Sequence, residues 1–173
     1  MTGGSGWFID TGMTRCSLFF LLVLTASLGA APTASKDGYL QLGFDRLAGY
    51  RFVAPPYDPA ADPGKILPTG EEQIPAEVKS WDGKKAIVAG FMLPVKMEGG
   101  LVTELLLMRD QMMCCYGIIP NMNDWVVVRL KKGVRPLLDV PVSFYGDFQV
   151  GAMFEHGYMV GIYQLDADKM VPL

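Results

Sequence analysis

An all-β fold is what this sequence predicts, and three observations carry that prediction. From Trp81 onward the chain breaks into five apolar runs of strand length. Those runs are rich in Val, Ile, Leu, Phe and Tyr, the residues that suit a pleated and half-buried surface. Gly, Pro and Asn punctuate the runs, and no helical period is sustained across any of them.

The elements follow in chain order. WDGKK, residues 81–85, is a turn, and KAIVAGFMLPV, residues 85–95, is a first strand that Pro94 is expected to close. MEGG, residues 97–100, turns the chain into LVTELLLM, the second strand at residues 101–108. A loop containing two adjacent cysteines separates it from DWVVVRL, residues 124–130, which LKKG is expected to end. VPVSFYGDFQVG, residues 140–151, and GYMVGIYQL, residues 157–165, alternate in the manner of a fourth and a fifth strand, with AMFEH between them. DADKM, residues 166–170, reads as a final turn. LLLM and VVV are apolar on both faces, so one side should lie against an N-terminal arm or a partner protein.

Five strands in about 90 residues, with the longest connections near the middle, suit a small five-stranded Greek-key barrel of the OB type. Gly90 and Gly146 fall inside the first and fourth strands, where glycine permits the sharp coiling that closes such a sheet.

Upstream, residues 36–80 are expected to be an extended arm and Pro/Gly-rich linker, and residues 81–173 the barrel domain. DGYLQLGFDRLAGYRFV can add a strand or a short helix, and APPYDPAADPGKILPTG has too many prolines and glycines for regular structure. Residues 1–35 read as a signal peptide or N-terminal anchor. Arg15 precedes the apolar run SLFFLLVLTASLGAA, which ends in small residues and is shorter than the roughly 20 residues that span a bilayer. The expected location is therefore periplasmic or otherwise extracytoplasmic, with membrane contact only through that segment if it is retained.

Charge excludes one class of partner. The chain carries 15 Lys and Arg against 18 Asp and Glu, a net charge of −3. Nucleic acid is not expected, because backbone recognition needs clustered cations. The one basic cluster, Arg129, Lys131, Lys132 and Arg135, falls in a predicted connection and reads as a solvated face.

The chemistry-bearing stretch is QMMCCYGIIPNMNDW, residues 111–125. Cys114 and Cys115 are adjacent, and their α-carbons are only about 3.8 Å apart across a trans peptide, so a bridge between them closes a strained ring. Four states stay open: that vicinal disulfide, two free thiols, an intermolecular bridge, or a metal site. Thiolates and thioethers favour soft ions such as copper(I), and zinc is the other candidate. Cys114, Cys115, Met112, Met113 and His156 are the side chains that would hold either. Against a metal stand the absence of Cys-x-x-Cys and the wide spread of the 11 methionines, which more often fill core gaps. Catalysis finds no constellation. A triad would have to use His156, which lies beside Glu155 in a hairpin turn, and Glu104 and Asp110 flank the second strand without forming a catalytic pair. The sequence therefore predicts a non-enzymatic module without a required cofactor. Its candidate binding loop is Cys114, Cys115, Tyr116, Pro120, Asn121 and Asn123, stiffened by the Pro-Asn turn.

The run IPAEVKSWDGKKAIVAGFMLP, then VTELLLMRD, CCYG, PNMNDWVVV and GYMVGIYQL, resembles the bacterial domain-of-unknown-function family 3299 over residues 74–170. The resemblance implies a secreted or lipid-anchored envelope protein with an OB-like barrel. It also implies an envelope protein partner such as a transporter component. Many members of that family carry Cys-x-His where this chain has Cys114-Cys115-Tyr116, so Tyr116 replaces a histidine.

Overall fold

The computed structural model describes residues 37–56, 68–112 and 116–173. The chain is all-β, with six strands in one sheet among the described residues. A short β1 (Leu40–Leu42) and a one-turn helix α1 (Phe44–Leu47) come first. A second one-turn helix, α2 (Ala76–Lys79), leads into β2 (Lys84–Glu98). The remaining strands are β3 (Leu101–Met108), β4 (Trp125–Val134), β5 (Pro141–Glu155) and β6 (Tyr158–Pro172). The five runs anticipated from the sequence are β2 to β6; β1 is additional and pairs in parallel with β2.

The pairing is cyclic. β2 pairs antiparallel with β5 from Lys84 to Phe91 and with β3 from Phe91 to Glu98, so a single strand serves two neighbours. The ladder then runs through β3, β4, β6 and β5 back to β2, and β4–β6 is the parallel pair within that ring. Gly90 stands where β2 changes partner. A methyl group there would lie 2.5 Å from the Met108 carbonyl oxygen, so the two backbones approach as only glycine allows.

Strand ends differ from the sequence expectation in four places. Pro94 does not close its strand: it pairs with Leu105, and a register shift between Pro94 and Lys96 absorbs the missing amide donor. LKKG does not end β4, which continues to Val134 opposite Val102. Arg129, Lys131 and Lys132 therefore lie on a strand and not in a connection, and Glu104 lies within β3. AMFEH is largely strand, since β5 reaches Glu155 through two register shifts. DADKM is not a turn; Asp166, Ala167, Lys169 and Met170 pair with Asp147, Gly146, Tyr145 and Phe144. Polar residues in those segments suggested turns, but a strand with one wet face tolerates them.

Alternate residues build the core. Ala86 and Val88, Leu105 and Leu107, Val126 and Val128, Phe144 and Phe148, and Tyr163 and Leu165 are all buried. The segments before β2 complete it with Leu42, Phe44, Leu47, Phe52, Ile74, Val78 and Trp81. Each large side chain enclosed this way contributes about 1.5–3 kcal/mol. The doubly apolar VVV run has an internal explanation. Val127 is buried but lies outside that core cluster. Val127, Met153 and Trp125 all converge on Gly161 of the same sheet, within 3.4 Å of where a methyl group there would sit. The Trp125 indole donates to the Val160 carbonyl at 3.1 Å.

Candidate functional site

The connection from β3 to β4 is shaped by its own polar residues. Met108 pairs with Trp125, and the Arg109 amide donates to the Asp124 carbonyl at 2.9 Å, closing the neck of the loop. The Arg109 guanidinium spans Asp124 at 3.3 Å and Asp110 at 3.5 Å. Asp110 also accepts from the Met112 amide at 3.0 Å, a local turn that aspartate favours. On the far side Met122–Asp124 forms a 3₁₀ turn capped by Asn121, whose backbone amide donates to the Asp124 carboxylate at 2.8 Å.

Two neighbouring cavities result. The first, of about 220 Å³, is lined by Met108, Arg109, Asp110, Met112, Asp124 and the run Ile118–Asn121. The second, of about 130 Å³, is bounded by Phe91, Met92, Leu93, Gln111, Leu138 and Asp139, and shares Met108 and Asp110 with the first. Gln111 ties the two loops together by donating to Asp139 at 3.1 Å.

Apolar side chains are exposed around these cavities beside their polar residues. Ile118 is 50% exposed, Ile119 89% and Tyr116 74%, with Met112 beside them; Leu138 and Val140 are exposed on the β4–β5 loop. Leu173, also exposed, follows a strand end and donates its amide to Pro141. These are seven of the thirteen large hydrophobics exposed among the described residues, and four of them, Met112, Ile118, Ile119 and Leu138, line the two cavities.

The residues singled out in the sequence divide accordingly. Pro120, Asn121 and Met112 line the first cavity, and Tyr116 stands exposed on the same loop. Asn123 belongs elsewhere: it is 1% exposed and its side-chain amide donates to the Tyr50 carbonyl at 2.7 Å, so it braces the loop against the N-terminal segment. Cys114, Cys115 and Met113 lie outside the described residues. His156 sits at the tip of the β5–β6 turn with a φ of 52° and lines neither cavity. Among the described residues no three His, Cys, Asp or Glu side chains are placed to share a metal ion. The sequence reading passed over Ile118, Ile119, Leu138 and Asp139, although an Ile-Ile pair inside a Gly/Pro loop and LLDV between prolines are legible as exposed apolar segments.

Outside the loop, Arg129 holds three side-chain partners at once. Its guanidinium donates to Glu104 at 3.2 Å, Gln164 at 2.9 Å and Glu155 at 2.9 Å.

Fold and site together define an all-β domain whose exposed apolar side chains gather on two joined loops. No protein-family profile matches the chain, and no curated protein matches it. Among solved structures it is similar to the crystal structure of a DUF3299 family protein from Pseudomonas aeruginosa PAO1. The two are 27% identical with a TM-score of 0.55, over 78% of this chain and 96% of that one. The chain is DUF3299-like, as its sequence motifs led one to expect.

Proposed function

We propose that the chain is an exported, non-catalytic binding module of the cell envelope, folded as an OB-like Greek-key barrel, that engages a protein partner through its β3–β4 and β4–β5 loops. Cyclic strand pairing with one parallel pair inside the ring supports the barrel reading. The observation that carries the function is the pair Ile118 and Ile119, exposed to water and lining the first of two adjoining cavities. Covering one such side chain is worth about 1.5–3 kcal/mol, and a partner is what would cover it. Affinity capture from envelope extracts with the wild-type chain and with Ile119→Asp tests the reading. A protein retained by the first and lost by the second is expected; equal retention overturns it.

The rival reading is copper or zinc handling, or thiol redox, at Cys114 and Cys115. It is favoured by Met108 and Met112, which line the first cavity and carry thioethers of the kind that suit soft ions. Elemental analysis with thiol counting on wild type and Cys114→Ser separates the two. Stoichiometric metal lost on substitution promotes the rival, and two free thiols without metal end it.

A further inference from the structure

Resting on that binding reading, we propose the chemistry of the partner: a polypeptide segment presenting two apolar side chains flanked by lysine or arginine. The two cavities share Met108 and Asp110 as a common wall, so they accept neighbouring side chains of a single segment. Their apolar linings differ: Ile118 and Ile119 of one loop line the first, and Phe91, Met92 and Leu93 of β2 with Leu138 of the other loop line the second. The Gln111–Asp139 hydrogen bond joins the two loops.

Charge selects the partner. Three carboxylates, Asp110, Asp124 and Asp139, line the cavities, and Arg109 is the cation among the lining residues. Arg109 is already shared between Asp110 and Asp124, whereas Asp139 is held by the neutral amide of Gln111. The face therefore combines exposed apolar side chains with a negative surplus, Asp110 standing between the two cavities. An anionic lipid surface is repelled by that surplus. A second copy docking about a two-fold axis would set the same carboxylates against one another. A cationic, apolar segment satisfies both features, since complementary charge steers encounter while the apolar anchors fill the cavities.

The test is selection of a random dodecapeptide display library on the full chain, followed by binding of the recovered peptides to variants. Recovered peptides should share two apolar residues beside Lys or Arg and should weaken as salt rises. They should lose about fivefold in affinity on Asp139→Asn, an exposed-pair effect, and bind Ile119→Asp no better than background. Asp139→Asn keeps the acceptor for Gln111, and Ile119 is 89% exposed, so neither change disturbs the fold. Peptides with acidic or neutral flanks that still require Ile119 overturn the charge class while leaving the binding face in place. Absence of any selected peptide, or peptides indifferent to Ile119→Asp, overturns this inference. Ile119-dependent binding to phosphatidylglycerol vesicles overturns it in favour of a membrane. Envelope capture with Ile119→Asp judges the underlying binding reading separately.

Discussion

The hydroxyls of Tyr50 and Tyr163 stand 2.7 Å apart, and the Tyr163 hydroxyl also donates to the Leu47 carbonyl at 2.9 Å. Because the Tyr163 proton is committed to Leu47, Tyr50 is the donor between the two rings. This chain of bonds fastens the segment before β2 to β6 inside the core, with Phe148 stacked on Tyr163. Tyr163→Phe strands both the Leu47 carbonyl and the Tyr50 hydroxyl, and should cost about 1–3 kcal/mol. Tyr50→Phe leaves the Tyr163–Leu47 bond intact and should cost less, about 0.5–1.5 kcal/mol. Urea midpoints at unchanged slope measure both, and the reverse ranking would contradict the donor order.

The same pair predicts an alkaline limit. Burial raises the Tyr50 hydroxyl above its ordinary value, with the Tyr163 bond partly offsetting the rise. Burial raises Tyr163 much further, and the Tyr50 bond adds to it. A tyrosine protonated in the folded chain but ionised in the unfolded one stabilises fully below the unfolded value of about 10 and less as pH climbs past it. In an absorbance titration of the folded protein, Tyr50 and Tyr163 should resist ionisation until the fold opens. Stability should fall above pH about 10, and less steeply in Tyr163→Phe. Tyr50 and Tyr163 both titrating freely with the fold intact would contradict this.

The sequence places Asn123 in a candidate binding loop, but its amide faces the Tyr50 carbonyl from a site closed to water. Asn123→Ala leaves that carbonyl without its donor and should cost about 1–3 kcal/mol. Hydrogen exchange should speed up around Tyr50 and Phe52. Asn121→Ala, whose side chain bonds only within its own turn at Asp124, should leave those amides protected. Matching exchange in the two variants would remove Asn123 from its bracing role.

How much of this was legible depends on the range of the interaction. LVTELLLM matches β3 residue for residue, because a run bounded by Gly-Gly and Arg-Asp has local signals at both ends. The ends of β2, β4, β5 and β6 were missed because bulges and pairing, not composition, decide where a strand stops. Tyr50 and Tyr163 are separated by 113 positions, and nothing local marks either as half of a pair. The arm's share of the core was hidden for the same reason: Phe44 and Leu47 sit among charges and turns in sequence and become buried only against strands formed later. In the loop, the cysteines drew attention by rarity, while Ile118 and Ile119 define the surface by their exposure.

Gly146 interrupts an apolar strand face for a steric reason. A methyl group there would lie 2.1 Å from the Asp166 carbonyl oxygen and 2.8 Å from the Ala167 α-carbon, both backbone atoms of β6, beside a register shift at Tyr145–Gly146. Neither atom can move without breaking the β5–β6 ladder, so Gly146→Ala should cost at least about 1–3 kcal/mol, the range for overpacking. Gly99→Ala is the contrast. Nothing lies within 4 Å of the new methyl, and only the φ of 57° opposes it, a cost of about 1–2 kcal/mol. Equal midpoints for Gly146→Ala and wild type would mean that the two strands can separate at that point.

Arg129 joins three elements, and its loss separates a working ion pair from an idle one. The Glu104 side chain is only 11% exposed, and it holds Lys96 at 3.3 Å as well as Arg129. Arg129→Met leaves that carboxylate with one cation and frees Glu155 at the base of the β5–β6 turn. The expected cost is about 1–2 kcal/mol, held down because the Arg129 side chain is itself 41% exposed and Lys96 remains. Adding Glu104→Leu should recover part of it, since a nearly buried carboxylate that has lost one of its two cations is then gone. Lys131→Met breaks an exposed pair with Asp168 at 3.0 Å and should stay within about 0.5 kcal/mol. A double-mutant cycle on Arg129 and Glu104 reads the coupling directly, and a value indistinguishable from that of Lys131 and Asp168 would reduce the Arg129 cluster to surface decoration.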